Sequence, residues 1–173
     1  LQFAGMFTSS NIVSNNRFGI GPNGEALPNV EFGVRIKEDA NRNTIGPNNI
    51  IAYNAVGIIV GPERDTDFNR ITRNSIFANT GLGIDLGPLG VVNVNDSGDA
   101  DIGANDQLNF PVLVGAMPEY VNGVACASCT VELFLADAGS GVYGEGMQFL
   151  ISTMTDGSGN FTTPIFNIAP GQH

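Results

Sequence analysis

The sequence has no Trp, a single His at its last position (His173), two Cys, and no Lys or Arg beyond Arg73. Each shortage removes a class of function. With one imidazole, at the chain end, a Ser-His-Asp or Cys-His nucleophile system has no base to work with. With no Trp and three Tyr, the aromatic platforms on which sugar rings stack are scarce. No apolar run approaches the roughly 18 residues of a membrane-spanning helix, so direct membrane insertion is not expected. No basic-then-apolar segment of the signal-peptide kind occurs either. Leu1 opens in mid-pattern, and the expectation is a processed protein or a piece of a longer one.

Charge is scarce (14% of residues) and unevenly placed. Seven acidic residues balance the seven cations up to Arg73, whereas Asn74 to His173 carries ten acidic residues and no basic ones, giving a net charge of -10. Such a surface repels phosphate backbones, which argues against nucleic acid as a partner. It favours solubility and attracts divalent cations.

Gly (23) and Asn (20) are abundant. Both tolerate positive φ, so many tight turns and little helix are expected. Asn43 to Pro62 and Asn69 to Pro88 match at an offset of 26, with nine of twenty positions identical, including Asn43/Asn69, Asn48/Asn74, Ile50/Ile76, Ala52/Ala78 and Gly57/Gly83. A looser copy runs through Asn16-Arg-Phe-Gly and Phe32-Gly-Val-Arg-Ile. A fixed period of this size signals a solenoid. Each copy holds three short apolar bursts parted by Asn, Gly or Pro and no ten-residue amphipathic stretch, which excludes helical repeats.

Strands stacked in parallel one turn apart are therefore expected. Val34, Ile58 and Ile84 should form one inward column, and Ile36, Val60 and Leu86 a second. Arg35, Ile59 and Asp85 should stack outward. The pairs Asn43/Asn69 and Asn48/Asn74 should form amide ladders at the corners.

The motifs Asn-x-Ile-Gly, Asn-x-Ile-x-x-Asn and Gly-(Ile/Val)-x-(Ile/Leu) resemble the parallel β-helix repeats of secreted bacterial proteins in the broad pectin-lyase-like superfamily. Gly81-Leu-Gly-Ile-Asp-Leu-Gly, the acidic run from Asn95 to Gly103, and Leu108-Asn-Phe-Pro-Val-Leu are similar to the end of the helix in large repetitive surface proteins of environmental bacteria. The resemblance covers nearly the whole chain and speaks to fold far more than to activity.

Beyond Asn109 the rhythm changes. Strand candidates are 111–116, 130–136, 148–155 and 160–168, separated by turns such as Asp156-Gly-Ser-Gly-Asn160. Val131, Leu133 and Leu135 should share one face. The Cys129 to Phe134 segment with Gly144-Glu-Gly and Thr155-Asp-Gly-Ser-Gly-Asn-Phe resembles Ig-like modules that follow such helices. In such modules a further strand usually follows the equivalent of residues 169–173, so the last strand is expected to be missing or supplied by a neighbouring copy. Cys126-Ala-Ser-Cys129 reads best as a structural disulfide and hence export, against two free thiols or a redox centre.

The expected fold is thus all-β: a right-handed parallel β-helix of three to four coils (1–90), an acidic connector or capping loop (91–109), and an antiparallel Ig-like β-sandwich (110–173).

Two readings stand for the connector. Asn95, Asp96, Asp99 and Asp101, with Asn93, Asn105 and Asp106 nearby, offer hard oxygen ligands suited to calcium. The same side chains also suit Asx-turns that brace a loop.

The superfamily includes polysaccharide lyases and glycosidases, so Asp65, Asp67 and Asp85 are the catalytic candidates to test. They are weak ones, because Arg35–Ile59–Asp85 also reads as a solvated face. The expected role is a non-catalytic extracellular or cell-surface segment that is structural or adhesive, with glycans or neighbouring copies as partners. A carbohydrate-active enzyme is the alternative.

Overall fold

A computed structural model of the chain describes residues 1–63, 65–117, 119–137 and 144–165. Ten short strands come first: β1 (Gln2–Ala4), β2 (Ile12–Val13), β3 (Arg17–Phe18), β4 (Phe32–Lys37), β5 (Thr44–Ile45), β6 (Ile50–Ala52), β7 (Val56–Val60), β8 (Arg70–Ile71), β9 (Ser75–Phe77) and β10 (Ile84–Asp85). Every third strand joins the same sheet, giving the orders β1-β4-β7-β10, β2-β5-β8 and β3-β6-β9. All these pairings are parallel. The chain therefore turns once per three strands and lies on the turn before it.

Alternation along the strands fills the interior. Ile58 pairs with Val34 on one side and Ile84 on the other, and Ile36 pairs with Val60. Val34, Ile36, Ile45, Ile51, Ile58 and Val60 are fully buried in one cluster, against which Leu86 packs. Ile84 departs from its expected place, being 45% exposed. It lies on the last strand of its sheet, so no further turn covers it. At Gly57 a Cβ would collide with the Gly83 carbonyl oxygen of the next turn. Glycine there lets the strand entries approach closely.

The expected Asn48/Asn74 ladder is off by one residue. Asn49 N–H and Nδ2 donate to Asn74 Oδ1 at 3.3 and 2.9 Å, whereas Asn48 is exposed with φ of 65°, its side chain donating to Asn15 and its backbone N–H to the Arg73 carbonyl. The offset between turns is 26 at Ile45/Ile71, becomes 25 at Ile51/Ile76, and returns to 26 at Ile58/Ile84. Thus Ile50 and Ala52 lie opposite Ser75 and Phe77, not Ile76 and Ala78. A period-2 strand cannot slip by one without turning its apolar side chains outward. The extra residue is therefore absorbed at the corner around Asn48.

The second module is antiparallel. Strands β11 (Val112–Met117), β12 (Tyr120–Val124) and β15 (Asn160–Pro164) form one sheet, and β13 (Thr130–Ala136) pairs with β14 (Gly146–Met154) in another. Val121 and Phe161 of the first sheet pack with Val131 of the second, with Ile165, Leu133 and Cys129 around them. The rest of the fourth strand candidate, and residues 169–173 after which a further strand is expected, lie outside the described residues. Cys126 and Cys129 form a disulfide.

The corner shift makes a direct prediction. Asn49→Leu should lower stability by about 1–3 kcal/mol, because buried donors and acceptors lose their partner. Asn48→Gly should stay within about 0.5 kcal/mol, being an exposed left-handed position. Thermal unfolding of both variants measures the contrast, and equal losses would contradict the register.

Candidate functional site

An asparagine stands at each of the three corners, immediately before the following strand at the first two and a few residues ahead of it at the third. At the first corner Asn11 and Asn43 each donate N–H and Nδ2 to the Oδ1 of the asparagine one turn on, Asn43 and Asn69, at 2.9–3.1 Å. At the second, Asn16 and Asn49 do the same toward Asn49 and Asn74. The third ladder, not anticipated from the sequence, runs Asn29–Asn54–Asn79. Asn43, Asn49 and Asn54 are fully buried, so these bonds satisfy groups that water cannot reach.

The ladders are directional. Between asparagines, each rung gives its donors to the Oδ1 of the next turn, and Nδ2 of the inner rungs also reaches back to a backbone carbonyl of the turn before, as Asn43 does to Thr8. At the first turn the Oδ1 atoms of Asn11, Asn16 and Asn29 accept no hydrogen bond among the described residues, and all three residues are exposed. At the last turn two rungs, Asn69 and Asn79, give outward donors to residues from beyond the stack, and a third such residue, Glu132, meets the bend just before the Asn74 rung. Asn105 Oδ1 takes the Asn69 N–H at 3.0 Å, and its Nδ2 returns a bond to Asn69 O at 2.7 Å. The Glu132 carboxylate, on β13, takes the Arg73 N–H at 2.9 Å and the Thr72 hydroxyl. The Glu145 carboxylate, just before β14, takes both Asn79 donors at 2.8 and 2.9 Å.

Other contacts tie the second module to the last turn. Asp137 accepts from Ala78 N–H at 3.0 Å, and Ser75 Oγ donates to Met147 O at 2.6 Å. The Arg73 guanidinium lies 5.0 Å from the Phe149 ring centroid, close enough for a cation–π contact. Ala104, 1% exposed, plugs the end of the interior cluster. Between these fastenings lies a cleft of about 790 Å³, floored by Ile71, Leu82, Ile84, Leu108, Val131 and Phe134. The outer strands β8 and β10 line it.

The candidate catalytic carboxylates lie in different settings. Asp85 does not belong to a solvated face. It is 1% exposed, and its two oxygens accept from Gly87 and Gly90 N–H at 2.7 Å, pinning the turn that follows β10. Ile59 beside it is 4% exposed. Asp65 is exposed. Asp67 is half-buried, and burial pushes its carboxyl above the usual range, with neighbouring Asp106 and Asp65 adding to the shift against hydrogen bonds from Asp106 and Asn105.

In the connector, Asp96 accepts from Ala100 N–H and Asp99 from Asn109 N–H at 2.7 Å, while Asn95 exchanges bonds with Phe110. These are the bonds of a braced loop. Asp101 is half-buried. No group of three or more His, Cys, Asp or Glu among the described residues is arranged to hold a metal ion.

Sequence reasoning missed Glu132 and Glu145. Glu132 looked like a solvent-facing member of an alternating strand, and Glu145 like part of a glycine turn. Neither carries a local signal that the end of another unit will meet it.

Burial pushes the Glu145 carboxyl up, and the adjacent Asp137 adds to this, while the Asn79 donors pull it down. The folded chain thus holds this proton more tightly than the unfolded chain. The resulting stabilisation is full below the ordinary glutamate value and is lost as pH rises through the raised one. Glu145→Gln keeps an acceptor for Asn79 and removes the titration. Its melting temperature relative to wild type should therefore climb as pH rises above the ordinary glutamate range. A pH-independent difference would contradict this assignment. Comparison with family models, curated proteins and solved structures finds no match for this chain.

Proposed function

We propose that the chain is a segment of a right-handed parallel β-helix of the pectin-lyase-like kind, followed by an Ig-like module. In this reading it serves outside the cell as a structural or adhesive rod, with glycans or neighbouring copies as partners. The observation that carries the proposal is the set of three amide ladders along the corners. They fix every turn on the next and leave the outer faces to vary, which suits a rigid display surface. The Cys126–Cys129 disulfide fits an oxidising compartment.

Asp85, the carboxylate best placed by sequence for sugar chemistry, is held by backbone donors inside the fold. An enzymatic reading rests instead on Asp67, whose raised carboxyl is the kind of group that acts as a general acid. The two readings separate in one pair of measurements. Adhesion predicts binding on a glycan array with no unsaturated-sugar absorbance and no reducing-end release from pectin or related polysaccharides. Product formation that disappears in Asp67→Asn would overturn it.

A further inference from the structure

We infer that the cleft between the last turn and the second module binds an apolar carboxylic acid, its carboxylate on the open donors of Asn74 and its tail across the apolar floor. The three corner columns end differently. Asn79 gives both its donors, N–H and Nδ2, to the Glu145 carboxylate at 2.8 and 2.9 Å. Asn69 gives its N–H to Asn105 Oδ1 at 3.0 Å. Asn74 is the exception. Its Oδ1 accepts from Asn49, and its Nδ2 makes one bond, to Ile45 O at 2.8 Å. Its backbone N–H, which at the other rungs points to the next turn, meets no acceptor among the described residues. Glu132 passes this corner one residue early, at the Arg73 N–H. Asn74 is nonetheless only 3% exposed, and it lines the cleft. A buried donor without a partner is destabilising, so a ligand oxygen there is favoured.

Glu145 on Asn79 shows what fits. A carboxylate accepts the N–H and an Nδ2 hydrogen of one corner asparagine together, and Asn74 offers the same two groups. The charges around the cleft also call for an anion. Of the six described Lys and Arg, Arg70 alone has no side-chain hydrogen bond, ion pair or ring contact, and it lines this cleft. The carboxylates nearby are already engaged, Glu132 by Thr72 and Arg73 and Glu145 by Asn79.

The remaining lining decides the body of the ligand. The space of about 790 Å³ lies within the range that encloses small ligands, at a junction between modules where such sites concentrate. On its floor Ile84 is 45% and Leu108 53% exposed, apolar surface that a hydrocarbon tail would cover. Phe134 is the one aromatic ring among the described lining residues, so a sugar ring finds little to stack on.

The inference goes beyond the structural and adhesive reading and requires no glycan. The test is calorimetric titration of the full chain with decanoate and, separately, decyltrimethylammonium in about 0.1 M salt, with backbone amides followed by NMR. The chain carries a net charge of -10, so unspecific adsorption favours the cation. Decanoate is expected to bind saturably and to shift the Asn74 amide, and the cation to do neither. Octanoate, two methylenes shorter, should bind roughly tenfold more weakly. Arg70→Gln should weaken decanoate about threefold, and Ile84→Gln about fivefold. Both side chains are exposed, so both variants should melt near wild type.

Absence of saturable decanoate binding overturns the inference. So does equal affinity for the two amphiphiles, an unmoved Asn74 amide at saturation, or affinity unchanged in both variants, each of which marks adsorption elsewhere on the surface. Glycan binding, measured separately, moves with none of these outcomes.

Discussion

The side-chain amide of a corner asparagine is the interaction on which this molecule depends. Each turn of a stacked solenoid leaves backbone groups at its bends, where no strand ladder reaches them. Asn43 answers this with one side chain. Its Oδ1 takes two donors from Asn11, while its Nδ2 reaches Asn69 Oδ1 and the Thr8 carbonyl. Three such columns let strands of only two or three residues hold their register. Those strands would be too short to persist by their own ladders.

A carboxylate and an amide are nearly the same shape but differ in hydrogen-bonding sense. An amide both gives and takes, so it can continue a column, whereas an ionised carboxylate only takes and so can only end one. Glu145 ends the third column on the side where its donors emerge, and Glu132 takes the donors of Thr72 and Arg73 beside the second. The acidic bias after Arg73, which composition alone presents as a solubility feature, thus has a structural use at the junction.

Much of the fold was legible because stacking repeats its requirements. The pairing of Ile58 with Ile84, the buried columns and the Asn43–Asn69 rung follow from residue types recurring at fixed spacing. The one-residue error at Asn48 arose from imposing a single offset. The six-residue pattern Asn49-Ile-Ile-Ala-Tyr-Asn54 matches Asn74-Ser-Ile-Phe-Ala-Asn79 at 25, and that match contains the second and third ladders together. Strand β12 was missed because Asn122 and Gly123 interrupt its apolar alternation, and its pairing to β11 and β15 supplies what the local pattern lacks. The junction was not legible, since Glu132 and Glu145 acquire their meaning from residues 59 to 66 positions away.

The bends between the stacked strands differ widely in size. Residues 19–31 join β3 to β4, while residues 53–55 join β6 to β7 at the same bend one turn later. Yet Asn29 still meets Asn54 after the longer excursion. Length is thus decoupled from pitch: chain can be added between a strand and the next corner amide without altering the spacing of the layers. Insertions at that bend would project as loops of independent size from a scaffold of constant rise, which gives such a surface room to diversify while its interior stays fixed.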